Sequence, residues 1–279
     1  MLPGFLLALR EGVEAALIIG IVLGALRKTN RTDLNRIVWL GAGSAAIVSL
    51  LAAGLLIGIG VSLEGRTEQI YEGVAMLVAA GLLTWMIFWM RHQSARLKIE
   101  LESGVKQATI GGEKAIFSLA FLAVVREGVE LAFFLTATAL AAGTLPSLLG
   151  ALLGLAAAIL LGWLLYASSL RLDLGRFFNL TSALLILFAA GLVAHGVHEL
   201  NEAALIPPLI EHVWDINDIL PETSVIGELL KALFGYNGNP SLSEAIAYAG
   251  YFLALWLVIL LAPRRLVSPA SIKNGSGGN

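Results

Sequence analysis

The 279-residue chain contains no cysteine. Disulfide staples, thiolate metal centres and cysteine nucleophiles are therefore excluded, and any metal handled here must take oxygen or imidazole donors. Charge is also scarce: Asp, Glu, Lys and Arg make up 14% of the residues against 58% hydrophobic, and mean hydropathy is +0.84. A soluble domain carries about 25% charged residues. The composition instead implies a polytopic, all-α membrane protein whose partners include the lipid bilayer. The net charge of −2 says little by itself, since what matters is where the charges lie, and no nucleic-acid partner is expected. Met1 to Leu9 lacks the basic start of a cleavable signal, so this stretch reads as the beginning of the first membrane helix.

Apolar runs predict seven transmembrane spans, at 4–26, 37–61, 69–90, 115–141, 147–168, 177–200 and 244–263. Basic residues gather after alternate spans. Arg27, Lys28, Arg31 and Arg36 follow the first, and Arg91, Arg96, Lys98, Lys106 and Lys114 the third. Arg171 and Arg176 follow the fifth, and Arg264, Arg265 and Lys273 the seventh. Only Arg66 and Lys231 fall on the other side. The positive-inside rule then puts the N-terminus outside and the C-terminus in the cytoplasm, as an odd span count requires. Residues 91–114 read as a helical extension of span 3 ending at Gly111-Gly112. In the acidic outer segment, Val225, Ile226, Leu229, Leu230, Leu233 and Phe234 recur at helical spacing. A short amphipathic helix on the outer surface is expected there, acting as a lid, a docking surface or a plain connector.

What the chain does have is one pentad written twice inside apolar runs: Arg10-Glu11-Gly12-Val13-Glu14 and Arg126-Glu127-Gly128-Val129-Glu130. An ionisable residue at the bilayer centre costs about 2.5–3.5 kcal/mol on insertion scales, so these six need partners, water or a bound ion. Glutamates at i and i+3 project from one helix face, and each arginine reaches the second glutamate at i+4. Gly12 and Gly128 permit close helix approach beside the carboxylates.

Other echoes accompany the pentads. Leu77-Val-Ala-Ala-Gly81-Leu82 matches Leu187-Phe-Ala-Ala-Gly191-Leu192, and Gly41-Ala42 matches Gly150-Ala151. The similar offsets imply a duplicated three-helix unit, 1–110 and 111–200, with the second copy inverted because three is odd. An outer acidic loop (201–243), a seventh span (244–263) and a cytoplasmic tail (264–279) complete the expected organisation. Inverted repeats would oppose the pentads at mid-membrane. Four carboxylates against two guanidiniums leave an excess of negative charge suited to a hard di- or trivalent cation.

Other readings exist. Arg and Glu at i, i+4 can serve as ion-pair clasps, although each pair here carries a surplus glutamate that a clasp does not need. An intramembrane di-iron carboxylate enzyme would want Glu-x-x-His, whereas Leu17 and Phe133 stand in those positions. A carrier of another cation also fits.

With Arg-Glu-x-x-Glu in its first and fourth spans, the chain resembles the iron permease family, the Ftr-type permeases of fungi and the EfeU permeases of bacteria. The likeness covers residues 1–263. It implies inward iron transport across a cytoplasmic, or inner, membrane, with Glu11, Glu14, Glu127 and Glu130 coordinating iron in transit and no permanent cofactor. Partners in the family are a multicopper ferroxidase, or a periplasmic iron-binding protein with a haem peroxidase. Some relatives are assigned to lead.

Two further clusters fit an ion path. Glu64, Glu68 and Glu72 precede or begin span 3 and can attract cations, or simply favour a helix start. At the outer end of span 6, His195, His198, Glu199 and Glu202 share roughly one face and offer accessory ligands, or serve as ordinary hydrogen-bond formers.

Overall fold

The computed structural model describes residues 1–61, 63–167, 173–222 and 224–261; the expected cytoplasmic tail and Arg171 lie outside the described residues. Eight α-helices and no strand are found among the described residues. They are α1 (Leu2–Lys28), α2 (Asn35–Val61), α3 (Arg66–Gly111), α4 (Glu113–Ala142), α5 (Thr144–Ala167), α6 (Leu174–Glu202), α7 (Val225–Phe234) and α8 (Leu242–Leu261). Each long helix falls on a predicted apolar run and begins a few residues before it, because backbone hydrogen bonding continues past the point where hydrophobicity ends, and α3 alone runs on far beyond its run, to Gly111. α2, α3 as far as Met90, α5, α6 and α8 are long and apolar enough to cross a membrane. α1 and α4 have comparable length, but the pentads interrupt their apolar runs.

α1 lies along α5, α2 along α4 and α3 along α6, and α1 also meets α4 across the bundle. The inner faces of α1, α3, α4 and α6 make the main core, with Leu7, Met76, Leu83, Phe134, Leu185 and Leu192 at its centre. The outer faces of α2, α5 and α8 are the reverse. Leu50, Leu55, Ile159, Trp163, Leu257 and Leu261 stand exposed there, the pattern of a lipid-facing belt. The chain is a multi-pass membrane protein.

α3 has 46 residues. At 1.5 Å per residue it is about 70 Å long, roughly twice the hydrocarbon thickness. Its second half extends beyond the bundle, as the mixed-charge stretch predicts. There Val105 and Ala108 pack with Leu26, Val38 and Ile116 in a second small core where α1 ends and α2 and α4 begin. The helix stops at Gly112, whose φ of 78° only glycine adopts without strain.

At the opposite end, residues 203–241 fold into a cap. Backbone bonds from Val213 N–H to Pro240 C=O, Ile216 N–H to Gly238 C=O and Leu242 N–H to Ile210 C=O fix it. The amphipathic helix is present as α7, started by Ser224, whose Oγ accepts from Gly227 N–H at 3.0 Å. It packs against α6 and α1 and does not lie free on the surface. Its terminal Gly235, in the left-handed region at φ 65°, sits on Gly191, where an added Cβ would come 2.7 Å from Gly235 Cα. Lys231 Nζ donates to Glu222 Oε2 at 3.0 Å, and Gly238 N–H to Glu222 Oε1 at 3.0 Å. Burial opposes ionisation of Glu222, but the Lys231 and Gly238 bonds outweigh it and hold the carboxyl below its ordinary pKa.

Candidate metal site

Because i and i+3 lie on one helical face, α1 turns Glu11 and Glu14 toward α4, and α4 turns Glu127 toward α1. Carboxylate oxygens of Glu11, Glu14 and Glu127 all lie within 4.8 Å of one another. Glu11 and Glu127 are buried, at 1% and 6% exposure. Three ionised carboxylates so close together repel strongly away from water, and a multivalent cation among them turns that repulsion into ligation. Glu11 Oε2 receives no hydrogen bond, and Glu14 Oε1 receives none either but is ion-paired with Arg10 NH2 at 3.5 Å.

The two pentads differ in their arginines. Arg10 is completely buried. Its NH1 donates to Glu11 Oε1 at 3.2 Å and to Met86 Sδ at 3.3 Å, and its NH2 donates to Met90 Sδ at 2.7 Å and lies 3.5 Å from Glu14 Oε1. Arg126 is 41% exposed. Its Nε donates to Glu130 Oε1 at 3.0 Å and stands 4.0 Å from Glu127 Oε1, while its Cζ lies 4.2 Å from the Trp89 ring centroid. Trp89 stacks in turn on Trp85. Both i, i+4 pairs expected from the sequence are therefore formed. Glu130, turned to Arg126, stands outside the tight group of three.

Gly12 and Gly128 do allow close approach, but to helices beside the site and not across it. A Cβ on Gly12 would come 2.6 Å from Ala158 Cβ of α5, and one on Gly128 would clash with Ser49 Oγ of α2. Each glycine thus seats its pentad helix on a neighbour, which fixes where the carboxylates point.

The outer clusters also come together. Glu68 and Glu72 of α3 lie within electrostatic reach of Glu199, and Glu72 within reach of Glu202. Gln69 Nε2 donates to Glu202 Oε2 at 3.0 Å. Glu64 is exposed in the α2–α3 connection and is not part of this group. His195 Nδ1 lies 3.2 Å from its own helix carbonyl at Gly191. His198 faces Glu202 and, from the first turn of α8, Glu244. A cavity of about 380 Å³ under the cap is lined by His195, His198, Glu199, His212, Glu222 and Glu244, among others.

Several of these groups went unrecognised in the sequence. Met86 and Met90 sit four apart on α3, with Trp89 beside Met90, a pattern that looks like ordinary packing. Glu244 left a weak signal: it is a lone acid at the start of an apolar span.

The model of the iron permease FTR1 family matches residues 1–272. The chain is 37% identical over 274 residues to the ferrous iron permease EfeU of Escherichia coli O6:K15:H31 (strain 536 / UPEC), covering 95% of this chain and 97% of that one. The EfeU of Shigella sonnei (strain Ss046) is likewise 37% identical, with the same coverage. That of Yersinia pestis is 34% identical over 274 residues and 97% of each chain. No solved structure matches. The chain is a member of the iron permease FTR1 family.

Proposed function

We propose that the protein takes up iron by passing it inward between α1 and α4, through the carboxylates of Glu11, Glu14 and Glu127, with Glu130 completing the set. Iron transport is what the family and the relatives' names indicate, and a transporter fits them better than an enzyme. The relatives are named for ferrous iron, so the ferrous ion is the form assigned here. The route is carried by one observation: three carboxylates from two helices converge in the interior, and Glu11 Oε2 there receives no hydrogen bond. Oxygen-only ligation suits a hard or borderline cation. Iron is cargo in this scheme and no resident cofactor is invoked.

Architecture supports a transport route. In an inverted duplication α1 corresponds to α4, α2 to α5 and α3 to α6, so the pairing of α1 with α5 has its counterpart in α4 with α2, and α3 pairs with its own equivalent. On this reading α1, α4 and the five apolar helices make seven spans. The cap then lies outside, and the basic ends of α1 and α3 lie in the cytoplasm of an inner membrane. The ion reaches the cap from a periplasmic iron-binding protein, with a haem peroxidase or ferroxidase handling its redox state. Arg10 and Arg126 share the carboxylates with the ion and keep binding weak enough for release.

Cells producing Glu14→Ala or Glu130→Ala are expected to lose iron uptake while the protein still inserts in the membrane in normal amounts. Wild-type uptake by both variants would reject the route.

A further inference from the structure

We propose that Met86 and Met90 of α3 are positioning residues for transport. Their thioethers give the Arg10 guanidinium a neutral resting place beside Glu11 and Glu14, so that an arriving cation can take those carboxylates from it. The proposal rests on the central route described above, and its test separates the two.

An arginine keeps its charge in a protein and presents a fork of N–H donors. Arg10 is completely buried, so bulk water satisfies none of them. Its grip on the acids is incomplete. NH1 donates to Glu11 Oε1 at 3.2 Å, but NH2 stands 3.5 Å from Glu14 Oε1, which receives no hydrogen bond. Nε has no partner. The remaining bonds of the guanidinium go to sulfur, from NH1 to Met86 Sδ at 3.3 Å and from NH2 to Met90 Sδ at 2.7 Å. Four residues apart, the two methionines share one face of α3, which brings both sulfurs to the same guanidinium.

The choice of sulfur matters. A thioether is a weak, uncharged acceptor. A carboxylate in its place would add an acid beside Glu11, Glu14 and Glu127 and hold the ion back, against the weak binding that passage requires. A plain alkyl chain would leave buried N–H groups with no acceptor except the two glutamates. When a doubly charged ion enters the carboxylate group, it repels a guanidinium that cannot shed its proton. Bonds to Met86 and Met90 let Arg10 give up Glu11 and Glu14 while NH1 and NH2 stay partnered, and Arg10 returns as the ion leaves. The same turn of α3 carries Trp89, whose ring lies 4.2 Å from Arg126 Cζ. Each pentad arginine thus leans on a neutral group of α3 that attracts a cation without an ionised oxygen.

Uptake of anaerobic Fe²⁺ into proteoliposomes, measured over a range of concentrations, tests this. Met86→Leu/Met90→Leu keeps apolar volume and removes both acceptors. The guanidinium then closes on Glu11 and Glu14 and competes with the ion. KM should rise about 10-fold, the worth of one hydrogen bond to a charged group, with the maximal rate within about 2-fold of wild type. Met86→Leu/Met90→Gln returns an uncharged acceptor and should recover most of the lost KM. In an Arg10→Met protein the leucine pair should leave KM where Arg10→Met alone puts it. If Arg10→Met does not fold, the glutamine rescue decides; if the leucine pair does not, Met90→Leu alone, at the less buried methionine, should shift KM the same way. The proposal is overturned by a leucine pair with wild-type KM, by a glutamine variant no better than leucine, or by a KM rise that persists without Arg10. Glu127→Gln is assayed beside them. Its inactivity together with an unchanged KM in the leucine pair rejects the thioethers alone, whereas wild-type transport by Glu127→Gln rejects the central route and this proposal with it.

Discussion

At Arg10 the chain holds a fully buried guanidinium against two acids and two thioethers. Replacing it by methionine leaves Glu11 and Glu14 without their cation, and breaking a buried pair from one side costs about 3–5 kcal/mol. Arg126→Met, at a position 41% exposed and stacked on Trp89, should cost only on the order of 1 kcal/mol. Thermal unfolding of the two variants in detergent checks the difference; equal losses would mean that the pentads are equivalent. The i, i+4 pairs were legible in the sequence because their spacing is a property of a single helix. Met86, Met90, Trp89 and Glu244 were not, because their roles depend on which helix packs beside which, and nothing local records that. Glu130 shows the same limit: spacing puts it on the face of Glu127, yet its carboxylate turns to Arg126.

Helix positions were the easiest elements to foresee, since each long apolar run must satisfy its own backbone in lipid and a helix does so. The cap was only half foreseen. Periodicity gives α7, but its seat on α6 depends on Gly191 meeting Gly235, two glycines far apart in sequence. Gly191→Ala should unseat α7 by overpacking, at about 1–3 kcal/mol, and hydrogen exchange of the α7 amides would report it as faster exchange there, with α2 unchanged. The Glu222–Lys231 pair adds a pH dependence. Its folded carboxyl sits below the ordinary value, so its contribution is complete above the ordinary carboxylate range and disappears as pH falls through the folded value. Both side chains are partly exposed, which limits the effect to about 1 kcal/mol or less. Protection of the α7 amides, taken relative to their intrinsic exchange rate at each pH, should therefore fall below about pH 4, and Glu222→Gln should remove that acid response; an unchanged acid response in the variant would assign it elsewhere.

For the whole molecule, the absence of cysteine is an experimental advantage: any cysteine introduced is the only one. Asp218→Cys in the cap should react with a membrane-impermeant maleimide in intact cells, and Asp33→Cys between α1 and α2 only after lysis. The opposite pattern would invert the assigned orientation and turn the cap to the cytoplasm. The most direct test of the central claim is radio-iron uptake, as ferrous ion, into proteoliposomes containing Glu127→Gln protein. Glutamine keeps the size of the side chain and removes the charge that α4 contributes to the group of three. Uptake should fall to that of protein-free vesicles while the purified variant stays monodisperse; transport at the wild-type rate would contradict passage of iron between these carboxylates.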